Sequence, residues 1–468
     1  MRMTINWNSI VKAYDVRGLV GTDLTPQIVE AIAAGFVDEI GLAGKPVVIG
    51  HDMRSSSPEF AQAFARGVIA RGANAVLIGL CSTDECYFAS GHLDAASAMF
   101  TASHNPATYN GIKLCRPGAK AISIDTGLAG IRDRAAKVVE EGLVAVAQPG
   151  TLSHYGSLSD YAKFLRSMVD LSANRPLRIV VDAANGMGGH TVPAVFGTAA
   201  ELEALPIAVI PLYFDLDGSF PNHEANPLDK KNLVDLQAAV IRHGADLGLA
   251  FDGDADRCFV VDERGEPVSP STVASIVAVN EIARAKQAGE AQPMVLYGHL
   301  SSRVFAETIS AAGGQSQRTK VGHSLIKKQM AETDAVFGAE HSAHYYFRDF
   351  WFADSGILAA MHVLHALGQS SGTMSELADR YKPYPGSGEV NLKVTDAADR
   401  MNACEAKFAD DLIEHFDGLT VSSRDASDWW WFNLRTSNTE PLLRLNAEAA
   451  NQPTLDRIIR EVMGVIQP

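Results

Sequence analysis

What most constrains the folding of this chain is an alternation of strand-like and helix-like segments that continues to about residue 379. Pro46–Gly50 is strand-like, Pro58–Ala70 helix-like and Ala75–Gly79 strand-like again. Leu177–Asp182 reads as a strand, Ala184–Gly189 as a turn with a helix after it, and Met294–Gly298 and Ala335–Gly338 continue the pattern. Such alternation favours layers in which helices bury the strands between them. Three successive units, over 1–155, 156–262 and 263–379, look like a threefold duplication, although no residue-level repeat is visible. With 468 residues, each unit has enough chain for its own core. Pro383–Gly388 reads as a linker or turn. After it a smaller unit, over 380–468, reads as strand, helix, strand, strand and helix in Glu389–Val394, Asp399–His415, Trp429–Leu434, Leu442–Ala447 and Thr454–Ile466.

A formal net charge of −15 argues against a general nucleic-acid binder or an anionic-membrane binder, which present basic surfaces. The segment Met1–Lys12 is polar and is not a secretory signal, and no apolar run reaches the roughly 20 residues that span a bilayer. Cys81, Cys86, Cys115, Cys258 and Cys404 are odd in number and lack C-x-x-C spacing, so reduced thiols in a cytoplasmic protein are expected.

Two loops carry chemistry. The apolar run Ala95–Phe100 leads into Thr101-Ala102-Ser103-His104-Asn105-Pro106, and Tyr109–Leu114 resumes the strand pattern, which places Ser103 and His104 on an exposed loop. A serine beside a histidine suits a base-assisted covalent intermediate, whereas Ser, Asn and Pro are equally good turn formers. The loop around Ser103 does not have the G-x-S-x-G elbow of a Ser-His-Asp hydrolase.

Far along the chain, Asp252, Asp254 and Asp256 alternate between the apolar runs Leu247–Phe251 and Cys258–Val261. Three carboxylates so close call for a cation, and a hard divalent metal is the natural occupant, the alternative being a solvated acidic turn. A calcium EF-hand needs Gly where Arg257 stands and helices where strands are read, so Mg²⁺ is the better fit. Gly186, Gly188 and Gly189 lack the G-x-G-x-x-G pattern of a dinucleotide site and read as turn residues.

Taken together, T-A-S-H-N-P and D-G-D-A-D-R resemble the active-serine and metal loops of the α-D-phosphohexomutases, the superfamily of phosphoglucomutase and phosphomannomutase. Further matches follow in the expected order: Y-D-V-R-G at Tyr14–Gly18, K-V-G-H-S at Lys320–Ser324, the sugar loop G-A-E-H-S-A-H at Gly338–His344, and the phosphate loop R-T-S-N-T-E-P at Arg435–Pro441. The closest resemblance is to bacterial phosphomannomutases and the dual phosphomannomutase/phosphoglucomutase group. It implies an α/β fold with three similar α/β domains of mixed sheets plus a smaller C-terminal α+β domain, around a central cleft.

The resemblance further implies a phosphoryl group on Ser103, with Mg²⁺ held by Asp252, Asp254, Asp256 and a phosphoserine oxygen. Arg17, Lys113, Arg257 and Arg435 would make a positive cleft in an acidic molecule, and His104 or Lys113 would act as general base. Tyr14, His323, Glu340, Ser342, His344, Arg435, Ser437, Asn438 and Thr439 would hold the substrate. Glu340, Ser342 and His344 alternate, so in an extended segment they would point to one side. His341 and Ala343 replace the Met and second Gly of the family's usual G-E-M-S-G-H, which leaves sugar preference open. Arg54, in His51-Asp52-Met53-Arg54 after a strand, reads as supporting or structural.

The expected reaction interconverts mannose 6-phosphate and mannose 1-phosphate through a hexose 1,6-bisphosphate intermediate and activator, with glucose phosphates tolerated. The alternatives are a phosphoglucosamine mutase and a Mg²⁺-dependent sugar-phosphate phosphatase. A phosphorylated hexose is the expected partner, in a monomer or homodimer.

Overall fold

The computed structural model describes residues 5–320, 322–382, 384–394, 396–436 and 442–467, with the side chain of His323 left aside. The first three units share one topology. In the first, Pro46–His51 pairs in parallel with Asn74–Leu80 on one side and Ala96–Phe100 on the other, and Tyr109–Arg116 returns antiparallel to Ala96–Phe100. In the second, Leu177–Asp182 lies between Ile207–Leu212 and Leu247–Phe251, with Cys258–Asp262 returning antiparallel. In the third, Met294–Gly298 lies between Gln315–Thr319 and Phe337–Ala339, and Tyr345–Phe347 returns antiparallel. Helices Ser57–Ala70 and Thr83–His92, Gly188–Val195 and Val234–His243, and Arg303–Ala311 and His323–Thr333 make the crossovers.

The threefold pattern is therefore real at the level of topology. The sheets are mixed because three parallel strands need helical crossovers, while the fourth follows a short loop and can only return antiparallel. That short loop is the Ser103 loop in the first unit, the Asp252–Asp256 loop in the second and the Glu340–His344 loop in the third.

These units are not packed as independent balls. One continuous apolar cluster runs from Tyr87 and Phe88 of the first unit through Val180 and Phe251 to Phe347 and Leu377 of the third. A second cluster, including Phe36, Phe64 and Phe100, fills the first unit alone. The C-terminal unit has its own core around Phe408, Phe432, Leu445 and Ile458.

That last unit departs from its sequence reading. The helix expected over Asp399–His415 is Ala397–Lys407, and Leu412–Glu414 and Leu419–Ser422 form two further antiparallel strands. Asp410 and Asp411 would put negative charge at the negative end of a longer helix, and Gly418, at φ +78°, supplies the turn between the two short strands. The five strands make one antiparallel sheet. Pro383, at the head of the expected linker, lies outside the described residues, as do Val321 and Ser437–Pro441. All five cysteines are free and buried, and among the described residues no helix is long and apolar enough to cross a membrane.

Candidate active site

Ser103 stands at the tip of the loop after Ala96–Phe100 with φ +50°, a conformation that costs a non-glycine residue energy and is found where surrounding structure imposes it. Arg54 imposes it. Buried to 2% exposure, its guanidinium donates to the carbonyls of Ser103 (2.9 Å), Asn105 (2.7 Å), Pro106 (2.9 Å) and Tyr109 (3.0 Å). Asp52 sits 3.2 Å behind Arg54 Nε and balances the charge. The sequence offered a strand followed by H-D-M-R but no sign that this arginine reads the serine loop's backbone.

The second loop meets the first face to face. Ser103 Oγ donates to Asp252 Oδ2 at 2.8 Å, and His104 Nδ1 lies 3.2 Å from the same hydroxyl. Arg257 reaches Asp252 Oδ2 through Nε at 2.9 Å and Nη2 at 2.7 Å, and its Nη2 also lies 2.5 Å from His104 Nδ1. Lys113 donates to Asp254 Oδ2 at 2.8 Å and Asp256 Oδ2 at 2.6 Å. The approach is close enough that a Cβ on Gly253 would lie 2.4 Å from the Ser103 carbonyl oxygen, so only glycine fits between the first two aspartates.

These charges set one another's protonation. Burial pushes the Asp252 carboxyl up to about 7 although Arg257 pulls it down. Burial acts the same way on Asp254, but the Lys113 ammonium and a hydrogen bond from Thr83 hold it well below the usual carboxylate range. For Lys113, burial lowers basicity, and Asp254 and Asp256 more than reverse that. The His104 ring is pushed down to about 2 by burial and by Arg257 and Arg17, so it is neutral.

The aspartates suit a hard divalent cation. One oxygen from each of Asp252, Asp254 and Asp256 lies within 4.8 Å of the others, and among the described residues Asp254 Oδ1 and Asp256 Oδ1 are buried with no hydrogen-bond donor, Arg257 Nε and His344 Nδ1 standing 3.8 and 3.9 Å from Asp256 Oδ1. Buried anionic oxygens without donors are costly unless a cation takes them.

Arg17 joins this group from the first unit, bonding Asn105 Oδ1 through Nη1 and Asp15 Oδ2 through Nη2 at 2.6 Å. His344 joins from the third: it forms an isolated antiparallel bridge with Arg257, and its Nδ1 lies 2.8 Å from Asp354 Oδ2. Burial would lower its basicity, yet Asp256 and Asp354 raise it. Lys327 Nζ lies 2.7 Å from the other oxygen of Asp354. Neither Asp354 nor Lys327 carried a signal in the sequence.

The sugar loop is not the extended segment expected. His341 and Ser342 form a turn and Ala343 has φ +65°, closed by bonds from Ala343 N to Glu340 O (3.1 Å) and Glu340 N to His344 O (3.0 Å). Ser342 is half-buried on the turn, while Glu340 folds back to accept from Gly322 N at 3.0 Å and Tyr346 Oη at 2.6 Å. A tight reversal between two antiparallel strands overrides simple alternation. Tyr14 lies against Gly322, where a Cβ would stand 2.7 Å from its hydroxyl. Arg435, on strand Trp430–Thr436 of the C-terminal unit, pairs with Glu389 Oε2 at 3.3 Å. Ser437, Asn438 and Thr439 lie outside the described residues, and His323 opens helix His323–Thr333.

Comparison with known proteins accounts for most of the chain. Residues 8–141, 159–265 and 271–384 match the models of phosphoglucomutase/phosphomannomutase alpha/beta/alpha domains I, II and III, and 389–465 match the C-terminal domain of the same family. A protein of Xanthomonas campestris described as a phosphohexose mutase is 38% identical over 95% of this chain and 96% of its own. The phosphomannomutase of Escherichia coli K12 is 36% identical over 97% and 98%. Among solved structures, a phosphoglucomutase/phosphomannomutase family protein of Burkholderia thailandensis superposes with a TM-score of 0.86 at 30% identity, covering 99% of each chain.

Proposed function

The chain belongs to the phosphoglucomutase/phosphomannomutase family, and from that premise we propose that it is a phosphomannomutase, interconverting mannose 6-phosphate and mannose 1-phosphate and accepting glucose phosphates as well. The observation that carries the reading is the 2.8 Å contact between Ser103 Oγ and Asp252 Oδ2, which joins a serine nucleophile to a carboxylate cluster fit for Mg²⁺.

In this reading Ser103 carries a phosphoryl group in the resting enzyme. Asp252, Asp254 and Asp256 hold Mg²⁺, which when bound offsets charge developing on the transferring group. A substrate hydroxyl attacks phosphorus, the Ser103 Oγ–P bond breaks, and the hydroxyl proton passes to a base. The candidates are His104 and Lys113: the His104 ring is neutral and 3.2 Å from Ser103 Oγ but made weakly basic by burial, Arg257 and Arg17, while Lys113 is held protonated between two aspartates. Arg257 and Arg17 stabilise negative charge beside the serine. The hexose 1,6-bisphosphate then turns end for end and returns its other phosphate to Ser103. Arg435, Ser437, Asn438 and Thr439 would hold the non-reacting phosphate, with Tyr14, His323, Glu340, Ser342 and His344 toward the sugar.

The test is turnover of mannose 1-phosphate and glucose 1-phosphate to their 6-phosphates with Mg²⁺ and catalytic hexose bisphosphate. Ser103→Ala should lose at least about a thousandfold, in line with removal of an essential nucleophile. Release of inorganic phosphate instead of isomerisation, or a fully active Ser103→Ala, would sink the reading.

A further inference from the structure

The second crossover helix of the first unit, Thr83–His92, starts with Thr83, Asp84 and Glu85, and all three are at most 1% exposed. Acidic residues in a first helical turn are ordinarily placed at the surface, where they complement the helix dipole. Here they face the other units. Thr83 grips Asp254 twice: its Oγ1 donates to Asp254 Oδ2 at 2.7 Å, and its N–H donates to the Asp254 carbonyl at 3.1 Å. Asp84 Oδ2 accepts from Tyr161 Oη of the second unit at 2.7 Å and from Ser355 Oγ of the third at 2.6 Å. Ser355 directly follows Asp354, the residue that holds His344. Glu85 Oε1 accepts from Ser157 Oγ at 2.6 Å.

We propose that Thr83 and Asp84 are positioning residues that hold the metal loop and the His344 arm in register with the active serine, Thr83 acting through Asp254 and Asp84 through Ser355. A ligating carboxylate must present one particular oxygen, and donors on the other oxygen fix its rotation. Asp254 Oδ2 takes the Thr83 hydroxyl and the Lys113 ammonium, and the buried Oδ1 has no hydrogen-bond donor among the described residues. The Thr83 hydroxyl comes from a different unit than the aspartate it orients, so the inter-unit contact and the ion site are one structure. The proposal rests on the metal-site part of the function proposed above.

The experiment measures Mn²⁺ binding to the full-length, unphosphorylated protein by calorimetry or electron paramagnetic resonance, alongside thermal unfolding. Thr83→Val keeps the volume and removes the donor. Its Mn²⁺ dissociation constant should rise about 10- to 100-fold, the usual effect of losing a partner of a metal ligand, while Thr83→Ser stays within about threefold of wild type. If Thr83→Val does not fold, Thr83→Cys, with a weak donor of similar size, carries the same comparison. On the other arm, Ser355→Ala should lower kcat about tenfold with Mn²⁺ affinity retained, because it loosens His344 and not Asp254. Unchanged Mn²⁺ affinity in Thr83→Val, or unchanged kcat in Ser355→Ala, overturns the corresponding arm. A wild type that binds no divalent ion overturns the metal-site reading itself, and so is distinguishable from either.

Discussion

At the scale of single residues, Arg54 is the clearest case of a side chain whose importance lies in backbone it does not belong to. Its four bonds to carbonyls between Ser103 and Tyr109 keep the serine in a left-handed conformation. Replacing it by methionine removes those donors and leaves Asp52 buried beside no cation, which should cost about 3–5 kcal/mol in urea unfolding and slow phosphorylation of Ser103. Arg54→Lys should recover only part of this, since an ammonium offers donors from one point where the guanidinium reaches several carbonyls at once. Equal stability for wild type and Arg54→Met would refute that account. The candidate serine was legible in T-A-S-H-N-P; the residue that shapes its loop was not, because it is 49 positions away in sequence.

At the scale of elements, the recurrent unit is three parallel strands, two crossover helices and an antiparallel return, and the return loop holds candidate site residues each time. In the second unit that loop fits only because Gly253 has no Cβ. Gly253→Ala should push the metal loop off the serine loop and lower kcat by more than about tenfold, a displacement near 1 Å being enough for such a loss. Steady-state turnover with circular dichroism as a folding control checks this, and wild-type kcat would rule it out. Strand and helix positions in these units were readable from apolar patterning. The turn at Glu340–His344 was not, because the same alternating polar residues suit either an extended strand or the tip of a hairpin, and strand pairing made the choice.

At the scale of the whole molecule, the first three units share an apolar cluster and a buried polar junction, whereas the C-terminal unit keeps a core of its own. The junction has a pH signature. Burial lifts the Glu85 carboxyl from 4.5 to about 8, with His190 Nε2 at 3.8 Å from its second oxygen. The folded protein therefore holds a proton that the unfolded chain releases. The stability this provides is complete below about pH 4.5 and is lost as pH rises through about 8. Glu85→Gln, which mimics the protonated form, should match wild type in urea midpoint near pH 5 and exceed it near pH 9, by on the order of a few kcal/mol. Parallel stability profiles for the two proteins across that range would contradict a buried, proton-holding Glu85. The C-terminal unit meets the third through polar contacts, such as Arg318 with Glu414 at 2.6 Å and Arg303 N with Glu448 at 2.9 Å, and through ring contacts such as the Arg303 guanidinium over Trp429 at 4.6 Å.

By itself the sequence determined the α/β class and the order of the loops, and it singled out the serine and the aspartates proposed to carry the reaction. Those are properties of local patterning and of residue types that few other chemistries require. Tertiary structure alone decided which oxygen of Asp254 lacks a hydrogen-bond donor among the described residues, that Lys113 spans two aspartates, and that a helix start in one unit holds an aspartate of the next. Each of these depends on distances between residues more than a hundred positions apart, and those distances are set only when the shared core has packed.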